Sequence, residues 1–481
     1  MKIRSIIWPA YILAGLLMFI QAGASPVRFR GRVTSDGKPV CGVSVSDGRS
    51  VVQTDAAGRY AISSDGNADF VFISLPSGYE IPVGQHGPAF YYDVSDMENA
   101  SVKLDFSLES MDISDEEHLF IVWADPQVYE NKELDYVRKA ALDLKETVSQ
   151  KGKPAHLVVC GDIVGDDLEL LAPTAASVSA SEVPSFYLVG NHDLDMDARS
   201  NEGSKDTFKS IFGPTYYSFN RGRIHYVVLD NSFFIARGWQ YVGYLEERQF
   251  AWLENDLSNV PEGTTVVVCM HIPTYSRAAV NQEWSKEELN KITTNRNALY
   301  DILAPYNVHI CSAHEHYAEN YIIKDNIFEH VHAPLSGLFW QSFLSCDGLP
   351  WGYYVYEVSG DDLKWHYKAV GESEEVQYTY YPVGTNPMKP DAVTVNVWNY
   401  DPAWKVHWYE DDICKGEMQR YDGWDPAICA DVEQRREKEF KWKYIGAGKT
   451  GHLFYAVPSD PEAKIRVEVV DRFGRICKSV N

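Results

Sequence analysis

Five short apolar runs stand out along the middle of the chain: Leu119–Trp123, Leu157–Val159, Phe186–Val189, Val266–Val268 and Val308–Ile310. Each reads as a buried β-strand, and each gives way within a few residues to a polar piece. The pieces are Asp125-Pro126-Gln127, Gly161-Asp162, Gly190-Asn191-His192-Asp193, a lone His271, and Ala313-His314-Glu315-His316. Between the first two runs, Leu134, Val137, Ala141, Leu144 and Val148 recur at steps of three and four, which predicts a helix with one apolar face. Strand, helix, strand is the alternation that builds a parallel sheet. A second helix is predicted from about Tyr244 to Leu257, just before the strand that leads to His271. Beyond His316 the runs Tyr321–Ile323, Tyr353–Val358 and Leu363–Val370 read as strands of a sheet edge or of a second sheet.

On either side of this α/β stretch the periodicity is that of strands alone. Residues 26–110 carry short runs (Val27–Val33, Val40–Val45, Val51–Thr54, Tyr60–Ile62, Phe70–Leu75) separated by Ser35-Asp36-Gly37, Asp47-Gly48 and Ala57-Gly58 turns. The last run, Val102, Leu104, Phe106 and Leu108, keeps a period of two and predicts one strand. Glu109–Glu117 is acidic and aperiodic, and serves as a linker to a central unit at 118–370. Residues 371–388 lack a period and form a second linker. A C-terminal unit, 385–481, follows with aromatic-rich strands at Val393–Trp398, Trp404–Tyr409, Phe454–Val457 and Ile465–Val470. At the other end, Lys2 and Arg4 precede an apolar run, Ile6–Ile20, and Ala22-Gly23-Ala24 supplies small residues for cleavage. Residues 1–24 therefore have the layout of a secretory signal peptide, and an uncleaved anchor is the alternative. No later stretch is apolar for long enough to span a bilayer as a helix.

Polar residues at the carboxyl ends of neighbouring strands gather at one rim of an α/β sheet, where ligands bind. Carboxylate, amide oxygen and imidazole are the donors that hard and borderline divalent metals accept. With anchors Asp125, Asp162, Asn191, His271 and His314 spaced by 37, 29, 80 and 43 residues, the central unit resembles the calcineurin-like metallophosphoesterases, whose pattern is D-x-H, G-D, G-N-H-[DE], H, G-H-x-H. The resemblance implies an α/β fold, a metallophosphoesterase β-sandwich core flanked by helices. It implies two divalent ions (manganese, iron or zinc). Asp125, Gln127 and His316 would hold one, and Asn191, His271 and His314 the other, with Asp162 between them. It implies a phosphoesterase in which a hydroxide bridging the metals attacks phosphorus while His192 acts as the acid on the leaving group, its ring oriented by Asp166 or Asp193. The segment GRV…DGKPVCGVSVSDG…TDAAGRY at 31–60 resembles transthyretin-like or carboxypeptidase-regulatory-like sandwich modules. The last unit is similar to the β domain that follows the phosphoesterase core in a subset of bacterial members.

Two positions depart from the family pattern. Gln127 stands where D-x-H has histidine, and an amide oxygen is a harder, weaker donor that favours manganese or iron over zinc. Ala313 replaces the glycine of G-H-x-H, so the turn there is expected to need no left-handed backbone.

Charge narrows the partners. The formal net charge of −24, or −26 once Lys2 and Arg4 are removed, repels a nucleic-acid backbone. Two divalent ions bring four positive charges, of which Asp125 and Asp162 offset two. The surplus suits a phosphomonoester dianion on a small molecule or a phosphoprotein. A phosphodiesterase with the same metals, or a cell-surface binding protein with a vestigial core, are the alternatives. Cys160, Cys269 and Cys311 read as strand packing. A Cys414–Cys429 disulfide is one arrangement that export to the periplasm of a diderm bacterium, or to the medium, would permit. Arg199 and His332 are minor candidates for gripping or shaping around a substrate phosphate. The aromatic clusters Phe339-Trp340 and Tyr378–Tyr381 read first as packing and second as cleft lining.

Overall fold

The computed structural model describes residues 27–97, 100–238, 240–276, 289–460 and 463–480. The expected signal peptide lies outside them. The central unit is two facing sheets. In the first, strands Ser185–Leu188, Ala155–Cys160 and Glu117–Trp123 run parallel, and Gly352–Ser359 and Asp362–Ala369 extend the sheet antiparallel. In the second, Ile224–Val228, Thr265–Cys269, Asn307–Ser312 and Ile327–Val331 run parallel between antiparallel edges Tyr217–Arg221 and Glu319–Lys324.

Alternation along the first sheet assigns its two faces. Phe120, Val122, Val158 and Cys160 point into the space between the sheets. Leu119, Ile121, Trp123, Leu157 and Val159 face the helices α1 (Leu134–Lys151) and α2 (Leu171–Val178). Helix α1 turns Val137, Ala141 and Leu144 inward, as its spacing requires, and ends on left-handed Gly152, whose N–H bonds the Val148 carbonyl. Six α-helices occur among the described residues. None is long and apolar enough to cross a membrane.

The N-terminal strands form a five-stranded and a four-stranded sheet. The run expected as one strand at 102–108 is two, Ser101–Lys103 and Phe106–Leu108, both parallel to Val27–Ser35. The break falls at Leu104, whose carbonyl accepts from the Tyr60 hydroxyl at 2.7 Å. Phe72 and Phe90 leave this module to meet Trp252, Phe186 and Tyr217 at ring distances of 6.3, 6.0 and 4.8 Å. One apolar core thus runs from the N-terminal sheets through both central sheets.

The C-terminal strands make an eight-stranded sheet that begins earlier than expected, with Val376–Tyr381 inside the segment read as a linker. That strand pairs with Val393–Val397 and Ile476–Val480, partners its own sequence does not announce. The unit also holds a helix, Pro426–Glu439, absent from the strand-only expectation. Asp425 caps it by accepting from the Ala427 and Ile428 N–H groups, with Pro426 opening the first turn. All eight cysteines are free thiols, and the Cys414–Cys429 bridge is not formed.

Candidate metal centre

The five polar pieces converge because their strands belong to two sheets that end at one rim. Asp125, Asp162 and Asn191 follow three neighbouring strands of the first sheet, and His271 and His314 follow two neighbouring strands of the second. The loops there are strained. Asp125, Gln127, Asp162, Asp166, His314 and His316 all have positive φ, between 43° and 90°. Each such residue costs on the order of 1–2 kcal/mol, and concentration at one place marks a functional site. Ala313 is not among them: the left-handed residues are the two histidines after it.

Cross-bonds hold these conformations. The His314 N–H donates to both oxygens of Asp125 at 3.2 and 3.1 Å. The His192 N–H donates to Asp162 Oδ1 at 2.9 Å. Asn231 accepts from the Ile272 N–H and donates to the Ile272 carbonyl, which fixes the backbone beside His271. The Trp340 indole donates to the Pro126 carbonyl at 2.8 Å. Gly190 is required by proximity, since a Cβ there would lie 2.1 Å from the Asp162 nitrogen.

Two donor groups result, Asp162 with His271 and His314, and Asp125 with Asp162 and His316. Asp162 belongs to both. His271 Nδ1 is 2.9 Å from the Cys160 carbonyl and so carries a proton. Its Nε2 then faces Asn191 Oδ1 at 3.1 Å, Asp162 Oδ1 at 3.2 Å and His314 Nδ1 at 3.2 Å. Lone pairs converge there with at most one proton among them, the arrangement a cation resolves. Burial opposes a second proton on His271, but Asp162 raises the imidazole to about 9. In the second group, His316 Nε2 lies 3.6 Å from Asp125 Oδ1. Gln127 Oε1 is buried with no hydrogen-bond partner. Burial pushes the Asp125 carboxyl well above its usual range and the His316 imidazole down to about 3. Neutral imidazole, an orphaned amide oxygen and a shared carboxylate fit a pair of divalent ions.

The acid-pair residues separate cleanly. His192 Nδ1 meets Asp166 Oδ1 at 2.5 Å, while its Nε2 stands 3.9 Å from Asp162 Oδ2. Burial would strip the ring of its proton, yet Asp162 and Asp166 together raise its pKa. Asp193, the other candidate, is turned away and accepts from the Val164 and Gly190 N–H groups. Burial raises it to about 7. His332 is locked inside the core between the Ser312 carbonyl and the Tyr356 hydroxyl, and Arg199 lies exposed on its loop. Asn231 and Tyr241, whose ring stands 6.0 Å from that of His314, carried no sequence signal, and Trp340, read first as packing, donates to the Pro126 carbonyl. A further cluster, Glu357, His366 and Glu374, already holds the Lys151 ammonium at 3.0 and 2.8 Å.

Comparison with known proteins follows this architecture. Residues 120–318 match the family model described as calcineurin-like phosphoesterase. Residues 27–111 match its N-terminal model and 329–476 its C-terminal model. Purple acid phosphatase 15 of Arabidopsis thaliana is 32% identical over 107 residues, 20% of this chain and 18% of that protein. Purple acid phosphatase 13 of the same plant is 29% identical over 141 residues, 27% of this chain and 23% of that one. The chain thus spans about a fifth of the length of the curated relatives it matches. Among solved structures, a dimetal phosphatase from Danio rerio is 15% identical, covers 53% of this chain and 97% of its own, and superposes with a TM-score of 0.37. A purple acid phosphatase from yellow lupin seeds is 14% identical, covers 53% and 52%, and gives 0.39.

Proposed function

The chain belongs to the calcineurin-like phosphoesterase family, and from that premise we propose that it is a metal-dependent hydrolase of phosphomonoesters. The observation that carries the proposal is Asp162 shared by two donor groups, with a His192–Asp166 pair beside it. Asp125, Gln127 and His316 would hold one ion and Asn191, His271 and His314 the other, both sharing Asp162. Manganese or iron suits the amide of Gln127 better than zinc does. When bound, such ions supply Lewis acidity and positive charge at the phosphoryl group. The remaining work falls to side chains. His192 keeps a proton at Nε2 while Asp166 engages Nδ1, and it passes that proton to the departing alcohol oxygen as the P–O bond breaks. Asp166 offsets the imidazolium charge and fixes the ring. Asp193 keeps the Asn191–His192 turn in place through its backbone bonds. The same reading puts the enzyme outside the cytoplasm, on the strength of Lys2, Arg4 and the Ile6–Ile20 run.

Elemental analysis of the purified protein, beside hydrolysis of nitrophenyl phosphate with and without manganese, tests this. Close to two metals per chain with metal-dependent turnover is expected. No bound metal and no turnover under any supplementation would overturn it. A faster rate on bis-nitrophenyl phosphate than on the monoester would move the activity to diesters.

A further inference from the structure

Aromatic rings from distant parts of the chain close one side of the metal centre. Phe339 stacks on His316 with ring centroids 4.4 Å apart and planes at 25°. Trp442 stands 6.3 Å from Phe339 and 4.5 Å from Tyr129, meeting both edge-on. Tyr129 lies against the backbone joining Asp162 to Asp166, so closely that a Cβ on Gly165 would fall 2.1 Å from its ring. Gly165 precedes Asp166, which meets His192 Nδ1 at 2.5 Å, so Tyr129 stands on the side where that pair meets. Tyr444, 83% exposed, adds an uncovered ring two residues beyond Trp442.

The placement of Phe339 is forced. Phe339 and Trp340 both have positive φ, 52° and 58°, a conformation that bulky residues avoid. The Trp340 N–H to Ser336 carbonyl bond at 2.8 Å and the indole bond to Pro126 hold it from one side. From the other, the C-terminal unit reaches over. Arg435 Nη2 donates to the Gln341 carbonyl at 3.0 Å, and Gln341 Oε1 accepts from the Lys441 N–H at 2.6 Å. Strain of this kind beside a reaction site persists because the surroundings over-determine it. The neighbouring ammonium groups are already engaged, and Lys441 Nζ also lies 5.1 Å over the Trp442 ring. Lys441 Nζ contacts Glu130 at 2.8 Å, and Lys443 Nζ donates to the Arg436 and Glu437 carbonyls at 2.7 and 2.9 Å. This edge offers ring faces and edges, with its positive charge already neutralised or bonded.

We propose that Tyr129, Phe339, Trp442 and Tyr444 form the wall that receives the leaving group, selecting phosphomonoesters whose alcohol carries a flat aromatic ring. The inference rests on the phosphoesterase reading. A leaving oxygen must come within reach of His192, and an alcohol extending from it runs along Tyr129 toward Trp442 and Tyr444. The C-terminal unit would then be a specificity element as well as a support.

Benzyl phosphate and propyl phosphate separate ring recognition from chemistry, because their alcohols are of similar acidity. On the metal-loaded protein, kcat/KM for the benzyl ester is expected to exceed that for the propyl ester by about three- to tenfold, mainly through KM. Tyr444→Ala, at an exposed position that folding does not depend on, brings the ratio toward one, and Tyr444→Phe keeps it. A ratio near one in the unaltered protein, or equal losses on both esters in Tyr444→Ala, would overturn the wall. If neither ester is hydrolysed, the phosphoesterase reading fails instead. Calorimetry of the manganese-loaded protein with benzylphosphonate and propylphosphonate then decides the wall. Tighter benzylphosphonate binding supports it, and equal or no binding refutes it.

Discussion

The difference between Asp166 and Asp193 lies in what each oxygen touches: Asp166 meets the His192 ring, and Asp193 meets backbone N–H groups. His192→Ala removes the proton donor and is expected to lower kcat by about 10²–10⁴ while two metals per chain remain. Asp166→Asn leaves the ring present but poorly held, with a loss of about 10–100-fold. Unchanged turnover of propyl phosphate, whose departing alkoxide needs a proton as nitrophenolate does not, in either variant would remove the pair from the reaction. Both aspartates were candidates in the sequence, Asp193 beside His192 and Asp166 four residues after Asp162. The choice between them was not legible there, because it depends on how the Gly190–Asp193 turn is bonded to the Ile163–Val164 backbone. Gln127 shows the converse. Its departure from histidine was plain from the motif, and its buried, unpartnered Oε1 is where the fold gives that departure a use.

Among the elements, the loop 335–342 ties the donor strands to the rest of the chain. Its Leu335 N–H bonds the Ala124 carbonyl at 2.7 Å, and the Trp340 indole bonds Pro126. Trp340→Phe keeps an aromatic ring, smaller than the indole, and deletes the donor. The loop bearing Asp125 and Gln127 should loosen, and manganese affinity at one of the two sites should fall by about 10–100-fold. A titration showing two unaltered binding events would sink this. Helices and strands bearing their own periodicity were legible: the five donor strands lie within one or two residues of their expected bounds, and α1 turns inward the face its spacing demanded. The helix Pro426–Glu439 was missed although Asp425 and Pro426 announce its start. Only Pro426, Ile428 and Val432 are buried along it, too few for an apolar stripe. Val376–Tyr381 was lost although its partner Val393–Val397 is near in sequence; its other partner, Ile476–Val480, lies about a hundred residues away.

For the molecule as a whole, several histidines are buried without charge. Burial lowers His118, His309 and His332 to about 4 and sends His156 and His330 well below the usual value. A base whose folded pKa is depressed gives stability in full above about 6.5, and loses it as pH falls and the unfolded chain takes up the proton. His156 offers the cleanest test. Both its ring nitrogens are without partners, inside a cage of Phe120, Phe186, Phe219 and Tyr226. His156→Phe should be neutral or stabilising by about 1 kcal/mol at pH 8. Its advantage should grow by about 1.4 kcal/mol per pH unit below 6.5. Urea melts at pH 8, 6.5 and 5.5 read this, and a constant difference across them would contradict it. The shared core has a consequence in time. Phe72 and Phe90 complete their packing only against Phe186, Tyr217 and Trp252. At about 5–20 residues per second, the ribosome leaves the N-terminal module waiting roughly ten to forty seconds between the making of Phe72 and that of Trp252. Throughout that interval the nascent chain carries an aromatic face that only its own later segments can cover.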